Sequence, residues 1–276
     1  MILSTGCDGS GSTRSLTSAI TVTWVIVVDH DTGRLVWAAP GRDAATLHGF
    51  FDLLGPERCA QITHVSADAA DWIAVAVAAR CPNALQCADA FHVVAWATDA
   101  LDEVRRDAWN SARGAISQRI GPRRATGHAK VLKHSRYALW KNPEHLTDRQ
   151  REKLAWVAKT DPRLYRAYLL KEGLRLVFVL KGQAGKDALD RWISWARRSR
   201  IEPFVKLQRR IVRQRAAIDA ALDTGLSNAL IESTNTKIRV LTRVAFGFKS
   251  ADALIALALL ALGGYTPTLP RRPTDR

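Results

Sequence analysis

The sequence predicts an α/β protein whose mixed sheet is interrupted by a large, basic, all-helical insertion. Two observations predict this fold class. Short apolar runs alternate with helical patterns in residues 1–98, whereas long charged helical patterns fill residues 99–215. The positive charge is concentrated in the same helical region. Residues 216–276 form a C-terminal helical part, which we assign to the same domain as residues 1–98.

The first predicted elements are the two strands of a hairpin. Residues 20–28 (ITVTWVIVV) are β-branched and apolar, and residues 34–38 (RLVWA) form a second short strand. Between them, residues 29–33 (DHDTG) have the composition of a tight turn. Residues 1–19 are rich in Ser, Thr and Gly, and we predict that they form an atypical leader outside the sheet.

Two further predicted strands are each followed by an aspartate. Residues 62–66 (ITHVS) precede Asp68, and residues 84–88 (ALQCA) precede Asp89. A carboxylate after a strand can face the open crevice of an α/β sheet, where metal ligands are common, but it is as often the N-cap of the next helix. The helical patterns that separate and follow these strands cover residues 44–54, 69–79 and 90–106.

Helical patterns continue through the insertion and beyond it. Within the insertion they cover residues 147–158, 162–180, 187–200 and 203–222. The end of the second pattern, residues 174–180 (LRLVFVL), is ambiguous between strand and helix. In the C-terminal part the patterns cover residues 228–238 and 246–262.

The net charge of +15 is distributed unevenly along the chain. Residues 99–215 carry 29 Lys and Arg against 12 Asp and Glu, a net charge of +17. Residues 1–98 carry −4 and residues 216–276 carry +2. This segregation favours a dedicated element that binds a polyanion, and a set of solvated helix faces is the alternative.

Other features of the sequence exclude several classes of protein. The longest strongly apolar run, residues 254–262 (LIALALLAL), is far shorter than the roughly 20 residues that span a bilayer, so no membrane partner is expected. The first residues lack the pattern of a secretory signal, and we expect a cytoplasmic protein. The four cysteines form no C-x-x-C pair, which argues against a structural zinc site.

Six motifs of the chain together carry a resemblance to a known family. They are residues 28–37, 41–42, 65–68, 88–94, 139–143 and 231–248. The last (IESTNTKIRVLTRVAFGF) is the most specific, because its Glu, Asn, Lys, Arg and final Gly-Phe stand at family spacing. These motifs resemble the catalytic domain of bacterial DDE transposases of the ISL3 insertion-sequence family. The resemblance spans about residues 20–265 and implies a ribonuclease-H-like fold with a helical insertion before the last acidic residue.

The resemblance also implies the catalytic residues. Asp68 would be the second acid of the catalytic triad and Glu232 the third, and both would bind Mg²⁺ or Mn²⁺ for DNA strand cleavage and transfer. On their helix, Glu232, Asn235 and Arg239 fall at helical spacing on one face, although a lone helical Glu is usually only solvated.

The implied partners are the terminal inverted repeats and the target DNA, and a homodimer is compatible with the sequence. DNA phosphates would be held near the site and in the insertion by basic residues, whose alternative role is to solvate their helices. These residues are Lys237, Arg239, Arg243, Arg123, Arg124, Lys130 and Lys133.

The first acid of the triad is not evident in the sequence. In the family it lies in a Gly-x-Asp-Glu strand, and the family spacing places it near Thr13, where residues 9–18 contain no carboxylate. Asp8 has the Gly-x-Asp start, but it lies about five residues too far upstream and lacks the following Glu. Asp29 and Asp31 are better explained as turn residues.

The sequence therefore predicts an N-terminally truncated transposase that has lost its first strand and is inactive or nearly so. The hairpin of residues 20–38 would be left with an unpaired edge. Asp89 and His92 match the family's Asp-x-Phe-His stretch, and we expect them to fix local structure. The alternatives are a fragment that binds DNA without cutting it, and a ribonuclease-H-like nuclease of another type.

Overall fold

The computed structural model describes residues 2–7, 23–67, 71–114 and 129–265. The chain divides into two compact units. The first consists of Met1–Asp89 together with Ser227–Arg276, and the second is Ala90–Leu226. The charge pattern predicts an insertion at residues 99–215, and the second unit contains this range with nine further residues before it and eleven after it. The added residues contain no Lys or Arg.

The first unit is built around a five-stranded mixed sheet, which confirms the predicted mixed α/β class. The strands lie in the order β3-β2-β1-β4-β5. Strand β1 pairs antiparallel with β2 and parallel with β4, β2 pairs antiparallel with β3, and β4 pairs parallel with β5. Their bounds are β1 Ile2–Cys7, β2 Thr23–Val28, β3 Leu35–Pro40, β4 His64–Ala67 and β5 Leu85–Cys87.

Strand β1 corrects the expectation that residues 1–19 form a leader outside the sheet. It occupies the centre of the sheet and pairs with β2 along its whole length, from Ile2 opposite Val28 to Cys7 opposite Thr23. The hairpin edge that was expected to be unpaired is therefore paired. The sequence concealed this strand because its composition after the first two residues, Ser-Thr-Gly-Cys, is typical of turns.

Strand β2 is buried on both faces because helices cover both sides of the sheet. Successive side chains of a strand point to opposite faces. Val25 and Val27 belong to a core with helices α1 (Ala44–Leu54) and α3 (Asp71–Arg80), and α2 (Pro56–Gln61) adds Cys59 to the same core. Trp24, Ile26 and Val28 belong to a second core, which includes residues of the two C-terminal helices.

The two C-terminal helices of the first unit are numbered after those of the second unit, as α11 (Ala229–Val244) and α12 (Ala251–Leu262). Ile231 and Ile238 of α11 and Leu254 of α12 pack against β2. This packing fixes the helix that carries Glu232, one of the acids predicted from the sequence.

The second unit consists of helices in its described residues, and residues 174–180 are resolved as helix. The helix predicted at 203–222 is divided at Gln214. The numbered helices are α4 Ala90–Gly114, α5 Arg136–Trp140, α6 Asp148–Thr160, α7 Pro162–Leu180, α8 Gly182–Arg198, α9 Glu202–Arg213 and α10 Arg215–Thr224. Residues 129–134 are also helical, and Pro143–His145 form a 3₁₀ turn. In the described part of the chain, no helix is both long and apolar enough to cross a membrane.

A buried lysine ties two elements of the second unit together. Lys171 of α7 is 1% exposed and donates to the carbonyl oxygens of Leu139 at 3.1 Å and Trp140 at 3.4 Å, at the end of α5. It also forms an ion pair with Glu172, which in turn pairs with Arg175. Burial lowers the pKa of Lys171, and these partners compensate the cost of the buried charge.

We predict that Lys171→Met lowers the free energy of unfolding by about 2–3 kcal/mol, because the terminal carbonyls of α5 lose a charged donor. The measurement is urea denaturation of the whole chain, followed by tryptophan fluorescence. Lys186→Met is the control, since Lys186 pairs with a half-exposed Asp223 and such a pair contributes about 0–1 kcal/mol. Equal effects of the two substitutions would contradict the prediction.

Candidate functional site

The carboxyl ends of strands β4 and β5 meet the start of helix α11 through a chain of buried hydrogen bonds. The hydroxyl of Ser66 donates to Oδ1 of Asn228 at 2.6 Å. The backbone N–H of Asn228 donates to Oδ1 of Asp89 at 3.2 Å. All three residues are buried, with exposed fractions of 0%, 2% and 4% in the order Ser66, Asn228, Asp89. We call this group the buried polar chain.

Topology explains why these residues meet. Strands β4 and β5 are parallel neighbours, so their carboxyl ends lie at the same edge of the sheet. Ser66 is in β4, and Asp89 follows β5 by two residues. Asn228 immediately precedes α11, and its side chain bonds Ser66 instead of capping its own helix. The first N–H groups of a helix carry partial positive charge, which favours the Asp89 carboxylate at this end.

Asp89 therefore has a structural role that reaches further than expected. The sequence predicted that Asp89 and His92 fix local structure, whereas the Asp89 carboxylate binds a residue 139 positions later in the chain. It fixes the beginning of the helix that carries Glu232. His92 lies in α4, where its ring contacts that of Phe91 at a centroid distance of 6.2 Å.

Glu232 lies in the first turn of α11, one turn after Asn228, and its side chain is exposed. Its backbone N–H donates to the carbonyl of Asn228 at 3.0 Å, which begins the helical hydrogen bonding. Among the described residues, the carboxylate of Glu232 has no hydrogen bond or ion pair. A fixed backbone thus presents to solvent a carboxylate that no described residue pairs.

The other predicted residues of α11 divide between two faces. Arg239 and Arg243 are exposed and lie at helical spacing from Glu232, whereas the exposed Lys237, five residues after Glu232, lies about 140° around the helix from it. Asn235 does not belong to the stripe, because it is 9% exposed and accepts a hydrogen bond from Nε1 of Trp24 at 3.5 Å. The predicted polar face of Glu232, Asn235 and Arg239 is therefore wrong for Asn235.

Several predicted site residues lie outside the described residues. These are Asp68, Asp8, Arg123 and Arg124. Asp68 is the next residue after β4, which ends at Ala67, and Asp8 is the next residue after β1. Lys130 and Lys133 are described and exposed.

The turn aspartates behave as predicted. The carboxylate of Asp29 accepts hydrogen bonds from the N–H groups of Asp31 and Thr32 and from the hydroxyl of Thr32 at 2.5 Å. The bond from this hydroxyl holds the pKa of Asp29 below its ordinary value, because it stabilises the ionised form. Asp29 is thus occupied in the hairpin turn.

The described residues contain no group of three His, Cys, Asp or Glu side chains that could hold a metal ion. Several acids that lie near these elements in the sequence are nevertheless of the type that suits a hard cation. Glu232, Asp89 and the acids that follow β1 and β4 in the sequence offer carboxylate oxygens, which are ligands of Mg²⁺ and Mn²⁺. The donor set therefore fits the metal that the resemblance implies.

Sequence reasoning missed Ser66 and Asn228. A local signal existed for both: a serine in an otherwise apolar strand, and an asparagine directly before a helix. Neither signal indicates that two residues 162 positions apart bind each other.

Comparison with known proteins identifies relatives over most of the chain. A model of the ISL3 family of DDE transposases, described as a transposase, matches residues 13–258. The transposase for insertion sequence element IS1557 of Mycobacterium tuberculosis is 67% identical over 258 residues, which cover 90% of this chain and 58% of the relative, in each of two strains. The chain thus spans little more than half the length of these relatives.

A more distant relative is also a transposase of an insertion sequence. The transposase for insertion sequence element IS1001 of Bordetella parapertussis is 28% identical over 229 residues, covering 82% of this chain and 54% of the relative. No solved structure matches the chain.

We predict that Ser66→Ala lowers the free energy of unfolding by about 1–3 kcal/mol, because it leaves the buried Oδ1 of Asn228 without this donor. Urea denaturation measures the change. Thr236→Ala is the control on α11, since the exposed Thr236 hydroxyl only bonds its own helix at the Glu232 carbonyl, and the expected change is within about 0.5 kcal/mol. A Ser66→Ala effect as small as that of the control would show that the buried polar chain contributes no stability.

Proposed function

Because the chain belongs to the ISL3 family of DDE transposases, we propose that it carries out metal-dependent DNA strand cleavage and transfer for an insertion sequence, with Asp68 and Glu232 as metal ligands. The expectation of an inactive chain rested on a lost first strand, whereas β1 is present at the centre of the sheet. One observation carries this proposal. The buried polar chain fixes the end of β4, after which Asp68 follows, to the beginning of α11, which presents the Glu232 carboxylate. Asp68 and Glu232 are 164 residues apart in the sequence, but Asp68 follows β4 and Glu232 lies in α11, and a hydrogen bond joins these two elements.

The fold on which the proposal rests is a ribonuclease-H-like sheet interrupted by the basic insertion. Two features support it. The sheet is mixed, with β1 parallel to β4 and antiparallel to β2. The helical unit Ala90–Leu226 is inserted between β5 and α11, which is before the last acidic residue, as the family resemblance implies.

In this proposal, the residues of the chain position a metal and hold the DNA. A bound Mg²⁺ or Mn²⁺ supplies positive charge that stabilises the transition state at a phosphorus and lowers the pKa of a nucleophilic hydroxyl or water. Glu232 and Asp68 hold the cation as oxygen ligands, and Asp89 with Asn228 keeps α11 from shifting. Arg239 and Arg243, on the stripe that begins at Glu232, bind phosphates of the substrate strand.

We predict that Glu232→Gln lowers Mg²⁺-dependent nicking of supercoiled plasmid by the purified chain at least about 100-fold, because a ligand that acts as part of a set is lost. Asp68→Asn should have the same effect. Asp252→Asn is the matched control, since Asp252 is an exposed acid in the first turn of the neighbouring helix α12, and its rate should stay within about twofold of the original.

Two outcomes of this experiment are decisive for the assignment. Nicking that survives Glu232→Gln contradicts the catalytic proposal, and DNA binding with no nicking by the original chain supports the alternative of a DNA-binding protein that does not cut. Asp8→Asn is a third arm. A loss equal to that of Glu232→Gln would assign the first acid to Asp8, which follows the central strand β1 in the sequence.

DNA binding is assigned to the second unit because all of the net charge of the chain lies there. Ala90–Leu226 contains 29 Lys and Arg against 14 Asp and Glu, a net charge of +15, so the remainder of the chain is neutral overall. Basic residues that contact phosphates release counterions, which makes affinity depend on salt. The proposed partners are the terminal inverted repeats and the target DNA.

We predict that affinity for duplex DNA falls with salt and depends little on sequence. Neutralising Arg123, Arg124, Lys130 and Lys133 to Gln should reduce the slope of log affinity against log salt by about 3–4, at about 0.9 for each phosphate that is no longer neutralised. The comparison variant neutralises four exposed bases dispersed on α6 and α8: Arg149, Lys159, Arg191 and Arg197. Fluorescence anisotropy measures the affinity of both variants at several salt concentrations. An equal fall in slope for the two variants would contradict a DNA-binding site localised at Arg123, Arg124, Lys130 and Lys133.

A further inference from the structure

The C-terminal end of α11 exposes an apolar surface that no described part of the chain covers. Phe246 is 100% exposed, Val244 is 72% exposed and Val240 is 51% exposed. Burying apolar area is favourable, so exposed apolar residues grouped within seven positions at the end of a helix are typical of an interaction surface. We call these three residues the apolar tip of α11.

The turn that follows α11 holds Phe246 in a fixed position. Its N–H donates to the carbonyl of Arg243 at 3.1 Å, and the N–H of Gly247 donates to the carbonyl of Thr242 at 3.0 Å. Two residues later, Phe248 packs against the core that includes Trp24. The turn is thus anchored on one side by Phe248, while Phe246 extends into solvent.

This placement of Phe246 is unfavourable in two independent ways. Its φ of 55° lies in the left-handed region, which favours glycine, although Gly247 with a φ of 99° is only one residue away. Its ring is also fully hydrated. Residues that break local rules in this way are characteristic of functional surfaces.

The charge around the apolar tip indicates the chemistry of the partner. Lys237, Arg239, Arg243 and Lys249 are exposed, and none of them forms an ion pair with a described residue. A second copy of this positively charged surface would be repelled. Duplex DNA combines a polyanionic backbone with flat, apolar base steps between which an aromatic side chain can insert.

We propose that Phe246 is a wedge that inserts between base pairs of bound duplex DNA and unstacks one step, while Arg243 and Lys249 hold the flanking phosphates. The inference rests on the proposed function in assuming that DNA is the substrate. Fourteen residues separate Phe246 from Glu232, so the wedge lies about 20 Å from that carboxylate along the helix axis. This distance corresponds to about six base pairs of duplex.

The test uses the full chain and a duplex of about 20 base pairs that carries 2-aminopurine at intervals on one strand, without divalent metal, so that cleavage is not required. The emission of 2-aminopurine rises when a base is unstacked. The original chain should raise the emission about twofold or more, and Phe246→Ala should abolish the rise even at protein concentrations at which anisotropy shows the duplex to be saturated. Phe246→Trp should retain the rise, and so should Leu53→Ala, which removes another exposed apolar side chain of the same unit.

Each outcome decides the proposal. Binding without a rise in emission, or a rise that survives Phe246→Ala, overturns the wedge while leaving the proposed function in place. A change from dimer to monomer caused by Phe246→Ala, with emission unchanged, overturns it in favour of a second copy of the chain. Absence of DNA binding by the original chain overturns both proposals. An emission rise that disappears in Phe246→Ala supports the wedge even if the plasmid shows no Glu232-dependent nicking.

Discussion

The architecture of the candidate site depends on one constraint, the burial of the Asp89 carboxylate at the junction of β4, β5 and α11. A buried carboxylate is costly unless hydrogen bonds compensate it. The N–H of Asn228 supplies such a bond, and the Asn228 side chain then accepts from Ser66. Removing any member leaves a buried polar atom with one partner fewer, so the three residues select one position for the start of α11. Glu232 lies one turn later on the same helix, so its backbone position is fixed as well.

Strand β2 also holds helix α11 in place, through apolar packing. Because β2 is buried on both faces, its alternating side chains connect the core beneath α1 and α3 with the core beneath α11 and α12. Trp24 takes part twice, through its packing against these C-terminal helices and through its indole N–H bond to Asn235. Helix α11 is therefore fixed at its first turn by polar contacts and along its length by apolar ones, which is the arrangement that a positioned ligand requires.

Elements with a local pattern could be predicted from the sequence, and elements decided by distant pairing could not. The β2 and β3 hairpin, the strands before Asp68 and Asp89 and the helical nature of the insertion follow from periodicity and turn composition. Strand β1 was missed because its place in the sheet is decided by its two neighbours rather than by its own residues. Helical spacing likewise placed Asn235 near Glu232. Residues three positions apart differ by about 60° around the helix axis, and this difference is enough to turn the Asn235 side chain towards the core.

The distribution of charge explains why the Glu232 carboxylate remains available. In the second unit, acidic residues are surrounded by a twofold excess of bases, and at least seven of its 14 acids form ion pairs, among them Asp102, Glu172 and Asp190. In that unit, basic side chains are therefore common partners of the acids. Glu232 lies instead in the electrically balanced unit, and the bases of its own helix stripe, Arg239 and Arg243, are seven and eleven residues away, beyond the three or four residues at which helical side chains pair. The acids of the first unit are therefore not surrounded by an excess of bases, which is compatible with the proposed role of Glu232 as a metal ligand.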